Sequence, residues 1–196
     1  MAPETAACPA LRAAFPAFAR VGGDVVPARK RDSHKPLDGI DHERGALPSA
    51  PMRALVQRVT RASVTVGGEV VGAIGAGLCV LVGVTHDDKP SQAVKLAGKI
   101  WNLRVMNDAD GVMNRSVSDT TGEVLIVSQF TLYGDTSGGR RPSWVAAARP
   151  EVAEPLVDLV VTELRALGAT VATGRFRTDM ALELVNDGPV TVSIEV

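Results

Sequence analysis

The sequence predicts an α+β domain in residues 52–196, with a largely antiparallel β-sheet and two main helices. Short segments that are apolar or that alternate in polarity come first, bounded by glycines, as is typical of strands. Two other segments repeat apolar residues at helical spacing. The helical segments are set apart from the first group of strands, which favours a mainly antiparallel sheet.

The strand predictions depend on local pattern. Residues 54–59 are predicted as a first strand, and residues 63–66 alternate polar and apolar side chains as a half-buried strand does. Gly67 and Gly68 suit a hairpin loop that leads into a strand at residues 69–71. Further strands are predicted at residues 78–82, 123–127, 180–185 and 190–196. Cys79 lies in one of these apolar segments and is predicted to be a buried thiol.

Two helices are predicted from their ends and their apolar faces. Asp88 can cap the first helix, and Pro90 suits its first turn. The second helix begins near Pro150, and Gly168 fits the position just beyond its end. The apolar faces are formed by Ala93, Leu96, Ala97, Ile100 and Leu103 in the first helix and by Leu156, Val160, Leu164 and Leu167 in the second.

Residues 1–51 differ in composition from the rest of the chain. They contain seven of the twelve prolines and a mixed charge cluster, without sustained periodicity. Such a segment buries too little apolar surface to fold, and it lacks the apolar core of a secretory signal. We expect a disordered extension, or a non-native one that precedes a true start at Met52.

The bulk composition argues against several classes of function. A net charge of −1 argues against broad coating of a nucleic acid backbone, and no apolar segment reaches membrane-spanning length. The two cysteines cannot form a disulfide framework, and the three histidines lack metal-ligand spacing. No phosphate-binding or dinucleotide-binding loop is present. We therefore expect chemistry without a metal or a cofactor.

The six residues from Asn186 to Thr191 combine features of a turn and of a ligand site. A Gly-Pro bond can be cis at low cost, and Gly188-Pro189 presents neither a bulky side chain nor a proline N–H. It can place bare backbone against a ligand, or it can be an ordinary turn between strands. Thr191 lies on the opposite strand face from Val190 and Val192, so it faces either solvent or a pocket.

A second candidate element follows the strand at residues 123–127. There the sequence becomes polar at Ser128, Gln129, Phe130 and Thr131, where hydroxyl and amide groups can bind a ligand or can satisfy local backbone groups. The charged residues allow similar alternatives. Arg140 and Arg141 lie in a glycine-rich stretch ending at Trp144, which either binds phosphate or is a solvated loop. Arg58 interrupts an apolar strand as an edge charge or as a buried hydrogen-bonding clamp.

A Ser-His-Asp arrangement is not credible, because His86 is the single histidine of residues 52–196. Hydrolysis would depend on substrate placement, backbone donors or the substrate's own groups.

Together these motifs resemble the D-aminoacyl-tRNA deacylase family, also called D-tyrosyl-tRNA deacylases. The resemblance covers residues 52–196 and includes the opening residues 52–59. Residues 128–132 match the family's first motif, and residues 186–191 match its second motif, Asn-x-Gly-Pro-x-Thr. Residues 141–144 are similar to an intervening Arg-Pro-Ser-aromatic stretch.

The resemblance implies a barrel-like core and a cytoplasmic enzyme, without cofactor or membrane association, that hydrolyses the ester between a D-amino acid and the terminal adenosine of tRNA. It implies a homodimer in which each subunit inserts a cis Gly188-Pro189 into its partner's site. Backbone oxygens of this pair would exclude the side chain of an L-amino acid. Glycine, mischarged on tRNA(Ala), would pass such a filter.

The resemblance also implies roles for individual residues. Ser128, Gln129 and Phe130 would line the pocket and hold the substrate through backbone N–H groups, with Thr131 as an adjacent wall. Thr191 would be a nucleophile, or the 2′-hydroxyl of the terminal ribose would carry the reaction, which agrees better with the missing histidine base. The implied substrate-binding residues are Asn186, Gly188, Pro189 and Arg58 at the filter, Phe176 and Met180 near the adenosine, and Arg140 and Arg141 near phosphate.

Two parts of the chain depart from the family. Residues 1–51 have no counterpart, and residues 174–180 are bulkier and more charged than the Gly-x-Phe-Gly-Ala pattern common in relatives. The second departure bears on tRNA preference and adenosine contacts. The alternative functions are an editing domain like those of some threonyl-tRNA synthetases, a non-catalytic RNA- or DNA-binding protein, and a serine esterase.

Overall fold

The α+β prediction is confirmed by the computed structural model, which describes residues 51–196; the extension predicted at residues 1–51 lies outside the described residues except for Pro51. The strands are β1 (Arg53–Val66), β2 (Glu69–Ile74), β3 (Gly77–Gly83), β4 (Met106–Asn107), β5 (Met113–Arg115), β6 (Glu123–Ser128), β7 (Val171–Thr173) and β8 (Ala181–Glu195). The helices are α1 (Pro90–Trp101) and α2 (Pro150–Ala166), with short 3-10 helices at Val117–Asp119 and Phe130–Tyr133.

The β1 strand is longer than predicted, because the segments at residues 54–59 and 63–66 belong to one strand of 14 residues. Its pairing with β8 shifts register on either side of Val59, and such irregularities let a strand bend without ending. β8 pairs with β1 on both sides of the predicted break, from Arg53 to Thr65, so β1 remains one strand despite the two register shifts.

The β8 strand corrects the prediction of two strands separated by a turn. Residues 180–185 and 190–196 lie essentially on one strand that keeps its direction. In its pairing with β1, the step from Gln57 to Val59 is matched by the step from Thr191 to Asn186. The extra residues of β8, among them Gly188-Pro189, therefore protrude from the sheet edge. The Gly188-Pro189 peptide bond is cis.

The sheet is mainly antiparallel and nearly closes on itself. β8 occupies one edge of β1, while β3 and β2 pair with successive halves of the other edge, all antiparallel. β6 and β7 extend the sheet from β3 in parallel. Beyond them, β2 approaches β7 so closely that a Cβ at Gly72 would lie 2.3 Å from the Thr173 carbonyl oxygen. Only glycine permits this approach, which draws the sheet into a barrel-like shape.

Both helices pack against one face of the sheet and form the main apolar core. The predicted faces are largely confirmed, since the buried side chains include Ala93, Leu96, Ala97 and Ile100 of α1 and Leu156, Val160 and Leu164 of α2. Leu103 and Leu167 lie beyond the ends of these helices, and Leu167 is exposed.

The predicted helix ends fared differently. Gly168 has a φ of 103° just after α2, as predicted. The predicted cap of α1 was wrong by one residue, since the N-cap is Lys89 and not Asp88. The Asp88 carboxylate instead accepts the Thr85 backbone N–H at 2.8 Å.

The other face of the sheet carries a second apolar cluster that includes Val59, Cys79, Leu125 and Val127. Cys79 is buried there as predicted, and burial raises the pKa of its thiol to about 11. Among residues 51–196, no helix is long and apolar enough to cross a membrane.

Candidate active site

A cavity of about 370 Å³ lies where β3 and β6 end and α2 begins, and its size is within the range of ligand sites. Aliphatic side chains of β3 and α2 line one part of it, and the rings of Phe130, Trp144 and Phe176 line another. The charged side chains on its walls are both basic, Arg149 and Arg177. The lining therefore suits a ligand with a flat apolar group and a negative charge.

The first sequence motif enters this cavity from the end of β6. Ser128 is the last residue of the strand and pairs with Val82 of β3. The Gln129 N–H donates to the Val82 carbonyl at 2.7 Å, so this N–H is already engaged. Phe130 and Thr131 then open a 3-10 helix, and their N–H groups precede its first intrahelical hydrogen bond. At the start of a helix these two N–H groups have no intrahelical acceptor, and of the two residues Phe130 lines the cavity whereas Thr131 does not.

Phe130 and Trp144 form the aromatic wall. Their rings meet edge to face, with centroids 5.9 Å apart and planes at 67°. Residues just after β3 hold the Trp144 loop. The Thr85 hydroxyl donates to the Ala146 carbonyl at 2.7 Å, and His86 Nε2 lies 2.8 Å from the Val145 carbonyl oxygen. His86 thus anchors the loop and does not line the cavity.

Arg58 is a buried clamp on the protruding segment of β8, with 6% of the residue exposed. Its Nε donates to the Asp187 backbone oxygen at 3.1 Å and lies 3.0 Å from the Asp187 carboxylate. Its Nη1 donates to the Val105 carbonyl at 2.6 Å and to Asn107 Oδ1 at 2.9 Å. The guanidinium therefore ties the protruding segment to the chain that follows α1.

Asn186 closes the base of the same segment. Its Nδ2 donates to the Val190 carbonyl at 3.2 Å, and its Oδ1 accepts the Val190 N–H at 3.3 Å. Gly188 and Pro189, between these two residues, are exposed. A rigid base with an exposed tip suits a segment that contacts another molecule.

The two sequence motifs do not meet within one chain. Thr191 pairs with Gln57 of β1 and lies on the sheet face opposite to Ser128, whose partner is Val82. From β8 the sheet passes through β1 and β3 to β6, which is about 14 Å at the usual strand spacing. The Thr191 hydroxyl lies 3.4 Å from Gln57 Nε2 and does not line the cavity.

The comparisons with known proteins agree on the family. The family model described as D-Tyr-tRNA(Tyr) deacylase matches residues 55–195. The chain belongs to this family. The D-aminoacyl-tRNA deacylase of Streptomyces coelicolor is 61% identical over 146 residues, 74% of this chain and 100% of that relative. The protein of the same name from Thermobifida fusca is 60% identical over 146 residues, with the same coverage of 74% and 100%.

Two solved structures share the fold. A c-Myc DNA Unwinding Element Binding Protein has 41% sequence identity and a TM-score of 0.70, over 74% of this chain and 98% of its own. A probable eukaryotic D-amino acid tRNA deacylase has a TM-score of 0.66 over 74% of this chain and 99% of its own; at 16% identity it supports the fold alone.

Sequence reasoning missed Arg149 and Arg177 as cavity residues. Arg149 precedes Pro150 and is indistinguishable in sequence from an ordinary helix start. Arg177 did carry a signal, since it lies in the bulky and charged stretch of residues 174–180. Its φ of 56° is the left-handed conformation that glycine adopts without strain.

The structure places the other predicted substrate residues away from the cavity, with the exception of Phe176. Met180 lies beneath the loop, its Sδ 2.7 Å from where a Cβ of Gly174 would be. Arg140 and Arg141 are exposed in the loop between the bridged residues Asp135 and Ser143. Neither arginine lines the cavity.

Proposed function

We propose that this protein hydrolyses the ester bond of D-aminoacyl-tRNA and releases free D-amino acid and tRNA. The observation that carries the proposal is the cavity that opens at Ser128, Gln129 and Phe130 with aromatic and basic walls. An aromatic wall suits a terminal nucleobase, and basic side chains suit the RNA backbone. The family to which the chain belongs is described by the same activity.

The reaction follows from the groups at the motif. The N–H group of Phe130 in the cavity wall, with that of the adjoining Thr131, stabilises the negative charge that develops on the carbonyl oxygen of the ester when water adds to the carbonyl carbon. The tetrahedral intermediate then collapses, the bond to the ribose 3′-oxygen breaks, and that oxygen takes a proton. The ribose 2′-hydroxyl directs the water and relays its proton: the 2′-oxygen takes a proton from the attacking water, passes its own proton to the departing 3′-oxygen, and is regenerated. The protein supplies no histidine base for this transfer, because the single histidine of residues 52–196 is engaged with the Trp144 loop.

The decisive assay compares D-tyrosyl-tRNA with L-tyrosyl-tRNA. The full chain should release D-tyrosine quickly and leave L-tyrosyl-tRNA largely intact; no release of D-tyrosine would overturn the proposal. Phe130→Pro should abolish release, since proline removes both the N–H donor and the ring that packs on Trp144; Phe130→Ala, which loses the same ring but keeps the N–H, should retain part of the activity. A control in the same 3-10 helix is Leu132→Pro, which keeps the Phe130 N–H but removes the N–H that donates to the Gln129 carbonyl. This variant should lower the melting temperature of the protein, whereas Phe130→Pro should lower the rate of release at an unchanged melting temperature.

The role of the 2′-hydroxyl has its own test. Ser128→Ala and Thr191→Ala should each keep much of the activity, while D-tyrosyl-tRNA ending in 2′-deoxyadenosine should be cleaved poorly. Abolition of activity by either alanine substitution, with the deoxy substrate cleaved normally, would support a side-chain nucleophile instead.

Chiral selection is proposed to come from a homodimer, in which the exposed Gly188-Pro189 of one subunit enters the cavity of its partner. The support is the separation of about 14 Å along the sheet between β8 and Ser128 within one chain. Backbone oxygens at this position would exclude L side chains but would admit glycine. Glycyl-tRNA(Ala) is accordingly proposed as a second substrate, tested in the same release assay.

Mixed dimers test whether the filter acts on the partner. Gly188→Ala displaces the filter, because its Cβ would lie 2.1 Å from the Val190 nitrogen. A mixed dimer of a Gly188→Ala chain and a Phe130→Pro chain has one intact site, on the Gly188→Ala chain. The filter of that site is the unaltered Gly188-Pro189 of the Phe130→Pro chain. Such mixed dimers should release D-tyrosine and spare L-tyrosyl-tRNA, while the Gly188→Ala homodimer should cleave both. Equal loss of selectivity in mixed dimers would place the filter within one chain.

A second candidate function is DNA binding without catalysis, favoured by the 41% identity to the c-Myc DNA Unwinding Element Binding Protein. It differs in its outcome: DNA should then bind tightly, and D-tyrosyl-tRNA should remain uncleaved.

A further inference from the structure

We propose that Arg177 is a specificity residue that, together with Arg149, binds the phosphate on the 5′ side of the terminal nucleoside of the substrate. The inference rests on the proposed function, because it names the part of the RNA that the same cavity recognises. Nothing in the sequence motifs at Ser128 or Gly188 supplies this contact.

The backbone at Arg177 shows that its side chain is kept against a conformational cost. Arg177 is the one non-glycine residue with positive φ among residues 51–196, at 56°. A left-handed conformation is unfavourable for a residue with a long side chain. The Thr178 hydroxyl donates to the Arg175 carbonyl at 2.9 Å and closes the turn around it. An arginine here therefore costs stability without contributing to the turn.

Arg177 lies in the wall of the cavity, where its side chain can contact a ligand. Arg175, two residues earlier, lies 3.9 Å from Glu69 and does not line the cavity. Arg177 lines the cavity with Arg149, and neither has an ion-pair partner within the described part of the chain. The cavity lining contains no carboxylate. Two guanidinium groups at one site, without internal counter-ions, suit a phosphate group.

The choice of phosphate follows from the elements that contribute each part of the lining. Phe130, Trp144 and Phe176 provide rings for one base, while Ser128 and Gln129 lie at the end of β6 where the ester is held. The two arginines come from other elements, the start of α2 and the turn that follows β7. A nucleoside esterified at its 3′-oxygen directs its 5′-oxygen away from the ester. The 5′-phosphate therefore lies on the side of the nucleoside away from Ser128 and Gln129, and this is the group assigned to the two arginines.

The test compares two minimal substrates, 3′-O-D-tyrosyl-adenosine and its 5′-phosphate, together with D-tyrosyl-tRNA. Arg177→Gly suits the left-handed backbone, so its melting temperature should equal or exceed that of the wild type. It should raise KM by about 10-fold for both phosphate-bearing substrates, with kcat retained. KM for the unphosphorylated substrate should stay unchanged. Arg177→Lys should recover part of the loss, and Arg175→Ala should behave as the wild type.

Salt dependence provides a readout that a structural role would not alter. Loss of one phosphate contact should reduce the slope of log KM for tRNA against log salt by about 0.7. Binding of adenosine 5′-monophosphate and adenosine, measured by calorimetry, gives an independent arm. The wild type should prefer the monophosphate, and Arg177→Gly should lose that preference.

The outcomes separate the two proposals. An equal effect of Arg177→Gly on substrates with and without the phosphate, or no effect on either, would overturn the role of Arg177 while leaving deacylation intact. A wild type that does not cleave D-tyrosyl-tRNA but prefers the monophosphate through Arg177 would overturn the proposed reaction and keep this site. A wild type that shows no preference for the monophosphate would overturn the site.

Discussion

Replacing Arg58 with alanine should lower the free energy of unfolding by about 3 kcal/mol. The guanidinium donates to the carbonyl oxygens of Asp187 and Val105 and to the side chain of Asn107. A buried acceptor left without its donor costs about 1–3 kcal/mol. Val105 is buried, so its carbonyl bears the larger cost, whereas the half-exposed side chain of Asp187 allows water to replace the lost donor nearby.

Urea unfolding of the full chain measures this loss. With a slope of about 2 kcal/mol per molar urea, the midpoint should fall by about 1.5 M. Arg61→Ala is the matched control on the same strand: its 3.4 Å ion pair with Glu183 has both side chains exposed, 64% and 74%. That variant should lose no more than about 0.5 kcal/mol.

The same variant tests the connection between the clamp and chiral selection. Because Arg58 fixes Asp187, the residue before Gly188-Pro189, its loss should let the tip move and should narrow the ratio of D-tyrosyl to L-tyrosyl release. The reasoning would be refuted if Arg58→Ala moved the midpoint no further than Arg61→Ala. Unchanged selectivity in a destabilised Arg58→Ala protein would refute the link to the tip alone.

Two further predictions concern the scaffold. Gly72→Ala should destabilise the fold by about 2 kcal/mol or more, because its Cβ would lie 2.3 Å from the Thr173 carbonyl oxygen. Gly98→Ala in α1, with no atom within 4 Å of the new Cβ, should instead stabilise the fold by about 0.5–1 kcal/mol. The two variants should therefore shift the melting temperature in opposite directions, and similar shifts would contradict the close approach of β2 to β7. Burial raises the pKa of Asp88 despite the hydrogen bond from Thr85. The contribution of the protonated carboxyl to folding stability is therefore complete below the ordinary aspartate pKa of about 4, and it is lost as the pH rises through the raised pKa of the folded state. Asp88→Asn should therefore gain stability relative to the wild type as pH rises through that window, and a pH-independent difference between the two would exclude this role.

Both helices and most strands could be predicted from sequence, because each depends on a side-chain period that is complete within a short segment. The apolar spacing from Ala93 to Ile100 specifies a helical face, and the alternation at residues 63–66 specifies a strand. The motifs at Ser128 and Gly188 were also visible, since their residue types are unusual at the end or in the middle of a strand. The family follows from these motifs.

Strand continuity was not predictable in the same way. The sequence around Gly188-Pro189 has the composition of a turn, yet β8 passes through it because both flanking segments pair with the single strand β1. The partners of Arg58 were equally hidden: its bond to Asp187 joins residues separated by 129 positions. Such contacts depend on the path of the chain and not on local pattern.

The sequence by itself determined both helices, most of the strands, their buried faces and the candidate site residues. Tertiary structure decided which of those residues share a site: it brought Ser128 and Phe176 together, added Arg149 and Arg177, and separated Thr191 from Ser128 by two intervening strands. The physical reason is that the face on which a side chain lies is determined by the local sequence period, whereas the other residues that line the same cavity are determined by strand order and register.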